Sequence, residues 1–161
     1  MRLTFWVGFW VFLADQATKW FVVHWLDLAT RLQIEVLPPF VNFRMAWNTG
    51  VNFGILSGLD MRWVLIAFAI VISALVLYWV SRDRGGRWSQ IAAGLLVGGA
   101  LGNVVDRILY GAVADFLNMS LPGWENPYSF NIADIAVFLG AVGLVAFTGE
   151  ANAPRKRREN R

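Results

Sequence analysis

The stretch Trp63–Val80 reads WVLIAFAIVISALVLYWV and contains no charged side chain. A helix of about 20 apolar residues spans the hydrocarbon core of a bilayer, and a second uncharged stretch follows at Trp88–Val105. Of the 161 residues in the chain, 57% are hydrophobic and 16% are charged, and the mean hydropathy is +0.51. Because soluble domains contain about 25% charged residues, the sequence predicts an integral membrane protein.

Two further apolar stretches contain charged residues. Leu3–Val23 includes Asp15 and Lys19, and Ile132–Gly149 includes Asp134. Together the four stretches predict an all-α membrane protein with four transmembrane helices. We expect one integral-membrane domain over residues 1–161, with a basic tail at 150–161 and with spans at about 3–25, 62–81, 88–109 and 131–149.

The first apolar stretch has two interpretations. Leu3–Ala14 follows Arg2 and could belong to a secretory signal peptide. Charged residues follow it, however, and a small-x-small cleavage pattern is missing. These features favour a retained helix.

The basic residues predict the orientation of the helices, because Lys and Arg in short loops stay on the cytoplasmic side. One side has Arg2, Arg82, Arg84, Arg87, Arg155, Lys156, Arg157, Arg158 and Arg161, whereas the other has only Arg31, Arg44 and Arg62. We therefore expect both termini in the cytoplasm. The basic tail could contact nucleic acid, but a cytoplasmic anchor facing water or lipid fits this bias better, and we expect no nucleic-acid partner.

The long first outer loop contains a strand pattern. Polar and apolar residues alternate in Leu32–Val36 and in Val41–Arg44, on either side of Pro38 and Pro39. This pattern predicts a small extracytoplasmic β element in that loop. Its aromatic residues could place the element on the bilayer surface, or the loop could be a simple connector with interfacial anchors.

Polar residues within the predicted spans recur at helical spacing. Asn103, Asp106 and Arg107 lie on one face near the outer end of the third span, and Asn131 and Asp134 are three residues apart on the fourth. Both faces can point towards the inside of the helix bundle.

Asp15 and Lys19 are four residues apart on the first span, which is the spacing of an intrahelical ion pair. The pair could form a stabilising polar cluster, or it could contact substrate. Asp106 with Arg107 allows the same two interpretations.

Residue types limit the chemistry. The absence of cysteine excludes a thiol nucleophile and thiolate metal sites, and the single His24 cannot form a multi-histidine zinc site. A Ser-His-Asp triad built on His24 has no supporting local motif, and neither has a dyad of Lys19 with Ser57, Ser120 or Ser129. We expect neither a metal nor a cofactor.

Two carboxyl groups remain, those of Asp115 and Asp134 at the outer ends of two spans. When two carboxyls approach closely, repulsion prevents both from ionising, so one keeps a proton while the other acts as a base towards a shared water. Such a pair can hydrolyse amides without a metal ion.

Four local strings resemble one protein family, the lipoprotein signal peptidases or signal peptidase II. The strings are Asp15-Gln16-Ala17-Thr18-Lys19, Asn48-Thr49-Gly50 through Phe53-Gly54, Gly102-Asn103 through Asp115-Phe116, and Phe130-Asn131-Ile132-Ala133-Asp134. The resemblance implies an aspartic endopeptidase of the bacterial cytoplasmic (inner) membrane. Such an enzyme removes the signal peptide of a prolipoprotein by cutting before a cysteine that already bears a diacylglyceryl group.

The resemblance also implies roles for individual residues. Asp115 and Asp134 would be the catalytic dyad, with the active site on the extracytoplasmic side. Substrate-binding or supporting residues would be Asn48, Gly50, Asn103, Arg107 and Asn131, with Asp15 and Lys19 of the first span in supporting roles. The chain departs from the family pattern at Val51-Asn52, where small apolar residues are common.

Partners follow from the same resemblance. They would be diacylglyceryl-modified prolipoproteins and membrane lipids, and we expect a monomer.

Two other classes of protein remain open. A small ion or proton carrier could use a charged path, although the chain has no internal repeat; the path would be lined by Asp15, Lys19, Asp106, Arg107 and Asp134. A non-catalytic subunit of a membrane complex would use the polar faces for contacts between helices.

Overall fold

The computed structural model describes residues 1–50, 61–82 and 86–148. The predictions for Val51-Asn52, Phe53-Gly54, Ser57 and the basic tail at 150–161 lie outside these ranges. The described part is mostly helical and includes one small sheet.

Four long helices occupy the predicted apolar stretches. They are α1 (Arg2–Lys19), α3 (Met61–Arg82), α4 (Arg87–Tyr110) and α5 (Ile132–Thr148), and a short α2 (Leu28–Arg31) follows the first of them. Helix α1 continues directly into a π-helical segment, Trp20–Trp25. By length and composition α3 and α4 could each cross a membrane, with mean hydropathies of 2.6 and 1.4, and α5 contains a shorter apolar stretch.

Helix α4 lies at the centre of the helix bundle and packs against α1, α3 and α5. Glycines make the closest of these contacts. A Cβ atom added to Gly98 would lie 2.5 Å from the backbone oxygen of Gly8 on α1, and one added to Gly99 would lie 2.5 Å from the backbone oxygen of Ala133 on α5. Small residues let membrane helices approach in this way.

Helix α3 contacts the bundle along a narrower face. Most of its large apolar side chains are exposed, among them Phe68, Val71 and Leu75. A contiguous apolar surface of this kind is unusual for a protein in water. It is the surface expected where a helix faces lipid.

The sheet consists of three antiparallel strands in the order β1 (Gln33–Leu37), β2 (Val41–Asn48) and β3 (Val113–Met119). The first two strands are paired and lie where the alternating pattern around Pro38 and Pro39 predicts a small β element. The third strand was not predicted. It follows α4, far from β2 in the sequence, and pairs Asp115 with Ala46 of β2. The β element therefore extends beyond the first loop, and Asp115 lies in a strand.

The reason for the missed strand is its burial. Five of the seven residues of β3 are buried, so its sequence, VADFLNM, lacks the alternation of a strand with one face in water. Phe116 packs with Val22 of the π-helical segment and with Leu28 of α2, and Phe43 of β2 adds to this cluster. The apolar cluster fixes the sheet against the end of α1.

The close packing of α4 against α5 leads to a prediction. A Cβ atom added to Gly140 would lie 2.5 Å from the backbone nitrogen of Leu96 and 2.7 Å from the backbone oxygen of Ala92. Backbone atoms cannot move aside as a flexible side chain can, so Gly140→Ala should destabilise the bundle by about 1–3 kcal/mol, although alanine favours helix. The thermal unfolding midpoint in detergent measures this loss.

Gly86→Ala is the control, because a Cβ atom there meets nothing within 4 Å. Gly86 is the N-cap residue of α4, where alanine is less favourable than glycine, so the control should lose only this smaller contribution and unfold above Gly140→Ala. Equal midpoints for Gly140→Ala and the wild type would contradict the packing described here.

Candidate active site

Polar side chains from four parts of the chain converge where α4 and α5 meet the sheet. Asp115 lies on β3, Asn48 ends β2, Asn103 lies on α4, and Asn131 and Asp134 lie at the start of α5. Asp115 and Asn131 are buried, whereas Asn48 is exposed and Asp134 is partly exposed. The cluster is thus closed on one side and accessible to water on the other.

Asn131 joins the two carboxyl groups. Its side-chain Nδ2 donates to Oδ1 of Asp115 at 2.6 Å, and its backbone N–H donates to Oδ2 of Asp134 at 3.2 Å. In return, its Oδ1 accepts a hydrogen bond from the backbone N–H of Asp134 at 2.9 Å. The reciprocal pair is the geometry of a capping box, so the start of α5 also holds the two aspartates next to one another.

The side chain of Asn103 has a fixed orientation. Its Oδ1 accepts hydrogen bonds from Lys19 Nζ and Asn131 Nδ2, both at 3.2 Å. With the oxygen held by two donors, Nδ2 points to Asp134 and donates to its Oδ1 at 2.9 Å. Asn103 therefore holds the Asp134 carboxyl group in place through this hydrogen bond.

A turn after β2 holds the side-chain oxygen of Asn48, so that its side-chain nitrogen points to Asp115. The backbone N–H of Gly50 donates to Oδ1 of Asn48 at 3.0 Å, and Asn48 Nδ2 donates to Oδ2 of Asp115 at 3.0 Å. Gly50 has a φ of +104°, a conformation that side-chain-bearing residues rarely adopt. The glycine therefore supports a contact to Asp115 without touching it.

Asp115 has a perturbed acidity. Burial raises the pKa of its carboxyl to about 6, and the negative charge of Asp134 acts in the same direction. Hydrogen bonds from Asn48 and Asn131 partly oppose this rise. Near pH 6 the Asp115 carboxyl is therefore partly protonated, so it can act as a proton donor.

An ion network lies directly beneath this cluster. Lys19 Nζ is 2.8 Å from Oδ2 of Asp15 and 2.8 Å from Oδ2 of Asp106, and all three residues are buried. Gln16 Nε2 donates to both carboxylates at 3.1 Å. The contact between Asp15 and Lys19 predicted from their spacing is present, and Asp106 completes it.

The two carboxylates of the network also hold the backbone beside the aspartates. Oδ1 of Asp15 accepts from the backbone N–H of Ala133 at 2.9 Å, and Oδ2 of Asp106 accepts from that of Ala114 at 3.1 Å. Ala133 immediately precedes Asp134, and Ala114 immediately precedes Asp115. Each carboxylate thus fixes the peptide next to one aspartate, a structural role that favours the polar-cluster interpretation of Asp15 and Lys19.

Arg107 lies at the edge of the cluster. Its Nη1 donates to the backbone oxygen of Asn103 at 3.3 Å, and its charge interacts with those of Asp134 and Asp115. Its Nε is buried and has no hydrogen-bond partner within the described ranges. A donor of this kind is available for a carbonyl group.

The structure thus brings together all nine residues that the sequence analysis selected. That analysis did not place Gln16 and Asp106 in the site, although both belong to the ion network. The sequence did contain a signal for Asp106, because this residue lies one helical turn beyond Asn103. No group of three or more His, Asp or Glu side chains that could hold a metal ion occurs in residues 1–50, 61–82 and 86–148.

Comparison with known proteins identifies the family. The family model described as signal peptidase (SPase) II matches residues 7–148. The chain belongs to the signal peptidase II family. It is accordingly an aspartic peptidase, in a family of bacterial membrane enzymes.

Individual members of the signal peptidase II family cover most of the chain. A lipoprotein signal peptidase of Methylobacterium sp. (strain 4-46) is 40% identical over 136 residues, which cover 83% of this chain and 81% of the relative. One from Pseudomonas aeruginosa (strain UCBPP-PA14) is 39% identical over 145 residues, covering 86% and 83%.

A solved structure of a bacterial membrane enzyme, determined by the in meso method at 2.3 Å resolution, is also similar. It matches with a TM-score of 0.77 and 30% identity, over 100% of this chain and 96% of that one. This similarity supports the helical architecture with its small sheet.

The ion network leads to a second prediction. Lys19→Met would leave Asp15 and Asp106 as two buried carboxylates without their shared cation, which should cost about 3–5 kcal/mol of stability. Thermal unfolding in detergent measures the loss. Adding Asp106→Asn to Lys19→Met removes one of the two unpaired charges and should recover part of it. Wild-type stability of Lys19→Met would contradict the structural role of the network.

Proposed function

We propose that this chain removes signal peptides from diacylglyceryl-modified bacterial prolipoproteins by cutting before the lipid-modified cysteine, with Asp115 and Asp134 as its catalytic dyad. The observation that carries the dyad is the bridge formed by Asn131, which donates one hydrogen bond to each carboxyl group. Two carboxyls joined in this way can hold one water molecule between them.

The dyad divides the chemistry between its members. Burial raises the pKa of Asp115 to about 6, so Asp115 supplies the proton, and Asp134, which accepts hydrogen bonds from Asn103 Nδ2 and from the backbone of Asn131, acts as the base. It takes a proton from water, and the water oxygen attacks the carbonyl carbon of the scissile peptide bond. Asp115 holds the shared proton and donates a hydrogen bond to the developing oxyanion.

Collapse of the tetrahedral intermediate completes the reaction. The carbon–nitrogen bond breaks, and the leaving amine takes up the proton that the dyad received from water. No covalent intermediate between enzyme and substrate forms. Arg107, whose Nε has no partner in the described part of the chain, binds a carbonyl of the substrate backbone and so positions the peptide.

The position of the dyad fits a lipid-modified substrate. A diacylglyceryl group keeps its acyl chains in one leaflet, so the modified cysteine lies near the headgroups. Exposed aromatic residues surround the end of the bundle that carries the dyad, among them Trp20, Trp25 and Tyr110, and such residues mark the interface of a bilayer. We place this end on the extracytoplasmic side.

The proposed topology has four transmembrane helices, α1, α3, α4 and α5, in one integral-membrane domain with both termini in the cytoplasm. The bias of basic residues supports this orientation. The enzyme works as a monomer in contact with membrane lipids and without a metal or cofactor. A carrier would require a polar path across the bilayer, whereas α1 and α4 meet below the ion network through Gly8 and Gly98.

Incubation of the purified protein in detergent with lipid-modified and unmodified forms of one precursor tests the proposed function. Only the modified form should be cut. Asp115→Asn and Asp134→Asn should each lower the cleavage rate by at least about a thousandfold, because an amide can act neither as the base nor as the acid. The yield in membranes should remain that of the wild type.

Glu125→Gln is the matched control, since Glu125 is an exposed acid in the loop after β3. It should cleave at the wild-type rate. Substantial turnover by either aspartate variant would reject the dyad, and equal cleavage of both precursors would reject the role of the lipid.

The acidity of Asp115 predicts the dependence of cleavage on pH. As the pH rises past about 6, Asp115 loses the proton that the reaction requires, so kcat/KM should fall on the alkaline side. Asn48→Leu removes a hydrogen bond that lowers the pKa of Asp115, and it should move this alkaline limb to higher pH.

Asn42→Leu makes the same change on the same strand, where the side chain donates to Pro39 and not to Asp115. Its pH profile should match that of the wild type. A rate that rises through pH 6 in the wild type would instead assign the base to Asp115.

A further inference from the structure

A second cavity of about 250 Å³ lies on the other side of the β2–β3 pair from the dyad. Successive side chains of a strand point to opposite faces, so Trp47 and Ala114 face away from Asn48 and Asp115. Trp47 and Ala114 line this cavity, together with the ends of α1 and α4. It is therefore separate from the space in which the peptide bond is cut.

Aromatic rings form the outer wall of the cavity. The ring centroids of Trp47 and Tyr110 are 5.6 Å apart with the planes at 50°, and the ring of His24 lies 6.3 Å from that of Tyr110. Trp20 also lines the cavity. The faces of such rings attract cations, most strongly those of tryptophan and tyrosine.

The floor of the cavity has an excess of negative charge. Lys19 and Asp106 line it, and Asp15 lies behind them. Two carboxylates and one ammonium carry a net charge of minus one, and the charge of Arg107, which is shared among Asp134, Asp115 and Asp106, offsets only part of it. Lys19 is fully engaged by the carboxylates and by Asn103, so it offers no free donor for an anion. A buried unbalanced charge of this sign favours a cation in the cavity.

Gln16 adds a hydrogen-bond acceptor. Its Nε2 donates inwards, to Asp15, to Asp106 and to the backbone oxygen of Gly102. Its Oε1 has no hydrogen-bond partner among the residues that the structure describes, and Gln16 lines the cavity. An acceptor of this kind fits the N–H groups of a primary ammonium.

We infer that this cavity binds the ammonium headgroup of an ethanolamine-type phospholipid. Trp20 and Tyr110 are exposed beside it, at the level where aromatic residues meet lipid headgroups. A glycerol headgroup has no cation for the rings, and a trimethylammonium headgroup has no N–H for Gln16. The cavity thus distinguishes an ethanolamine-headed lipid from both.

Native mass spectrometry of the purified wild-type protein tests this inference independently of cleavage. The protein in detergent is mixed with equal amounts of ethanolamine-, choline- and glycerol-headed phospholipids that have the same acyl chains. We expect the ethanolamine lipid to be retained at least about threefold above each of the others, the lower end of what one cation–ring contact provides. Equal retention of the three lipids would overturn the assignment.

Substitutions in the aromatic wall of the cavity test whether the lipid binds there. Tyr110→Leu removes a ring and should reduce the preference at least about threefold, whereas Tyr110→Phe keeps the ring and should retain most of it. Trp25→Leu is the matched control, because Trp25 is an exposed aromatic residue at the same end of α1 that does not line the cavity. Unfolding temperatures confirm that each variant is folded.

Two results would place the lipid elsewhere and overturn the proposal. One is an equal loss of preference in Trp25→Leu and Tyr110→Leu. The other is an unchanged preference in a folded Tyr110→Leu protein. Because the readout is lipid retention, either result would leave the proposed peptidase reaction intact.

Discussion

One lysine placed between two buried carboxylates determines the geometry of the site. A charge below the membrane surface is costly unless it is paired, and Lys19 is paired on both sides, by Asp15 and by Asp106. Oδ1 of Asp15 accepts a hydrogen bond from the backbone N–H of Ala133, and Oδ2 of Asp106, the oxygen that also contacts Lys19, accepts one from Ala114. Each carboxylate thus binds the backbone beside one aspartate of the proposed dyad. Asp115 and Asp134 lie on different elements, and the ion network holds the backbone beside each of them in place.

The sheet acts as part of the site because of β3. Asp115 sits on a buried strand that is paired to β2 and packed on the cluster around Phe116. A residue on a paired strand has far less freedom than one on a loop. The carboxyl from the sheet thus meets the carboxyl from α5 in a rigid frame, with Asn131 between them.

Much of this arrangement could be predicted from the sequence. The uncharged stretches predicted the long helices, and the spacing of Asn131 and Asp134 placed both on one turn. Strand β3 was missed because its burial removes the alternating pattern. The pairing of Lys19 with Asp106 was missed because it joins two helices, and helical spacing reveals only partners within one. The predicted alternatives for Asp15 could be separated only once the contact with Ala133 was known.

The double use of Asp134 has a consequence for inhibitors. Its carboxylate binds the backbone N–H of Asn131 and thereby caps α5, in addition to facing the site. A compound whose hydroxyl groups claim both oxygens of Asp134 has to compete with this cap, which is worth about 0.5–2 kcal/mol in other helices. Compounds that engage only Oδ1 of Asp134 would leave the cap of α5 in place. They should therefore bind more tightly than compounds that have to break the cap.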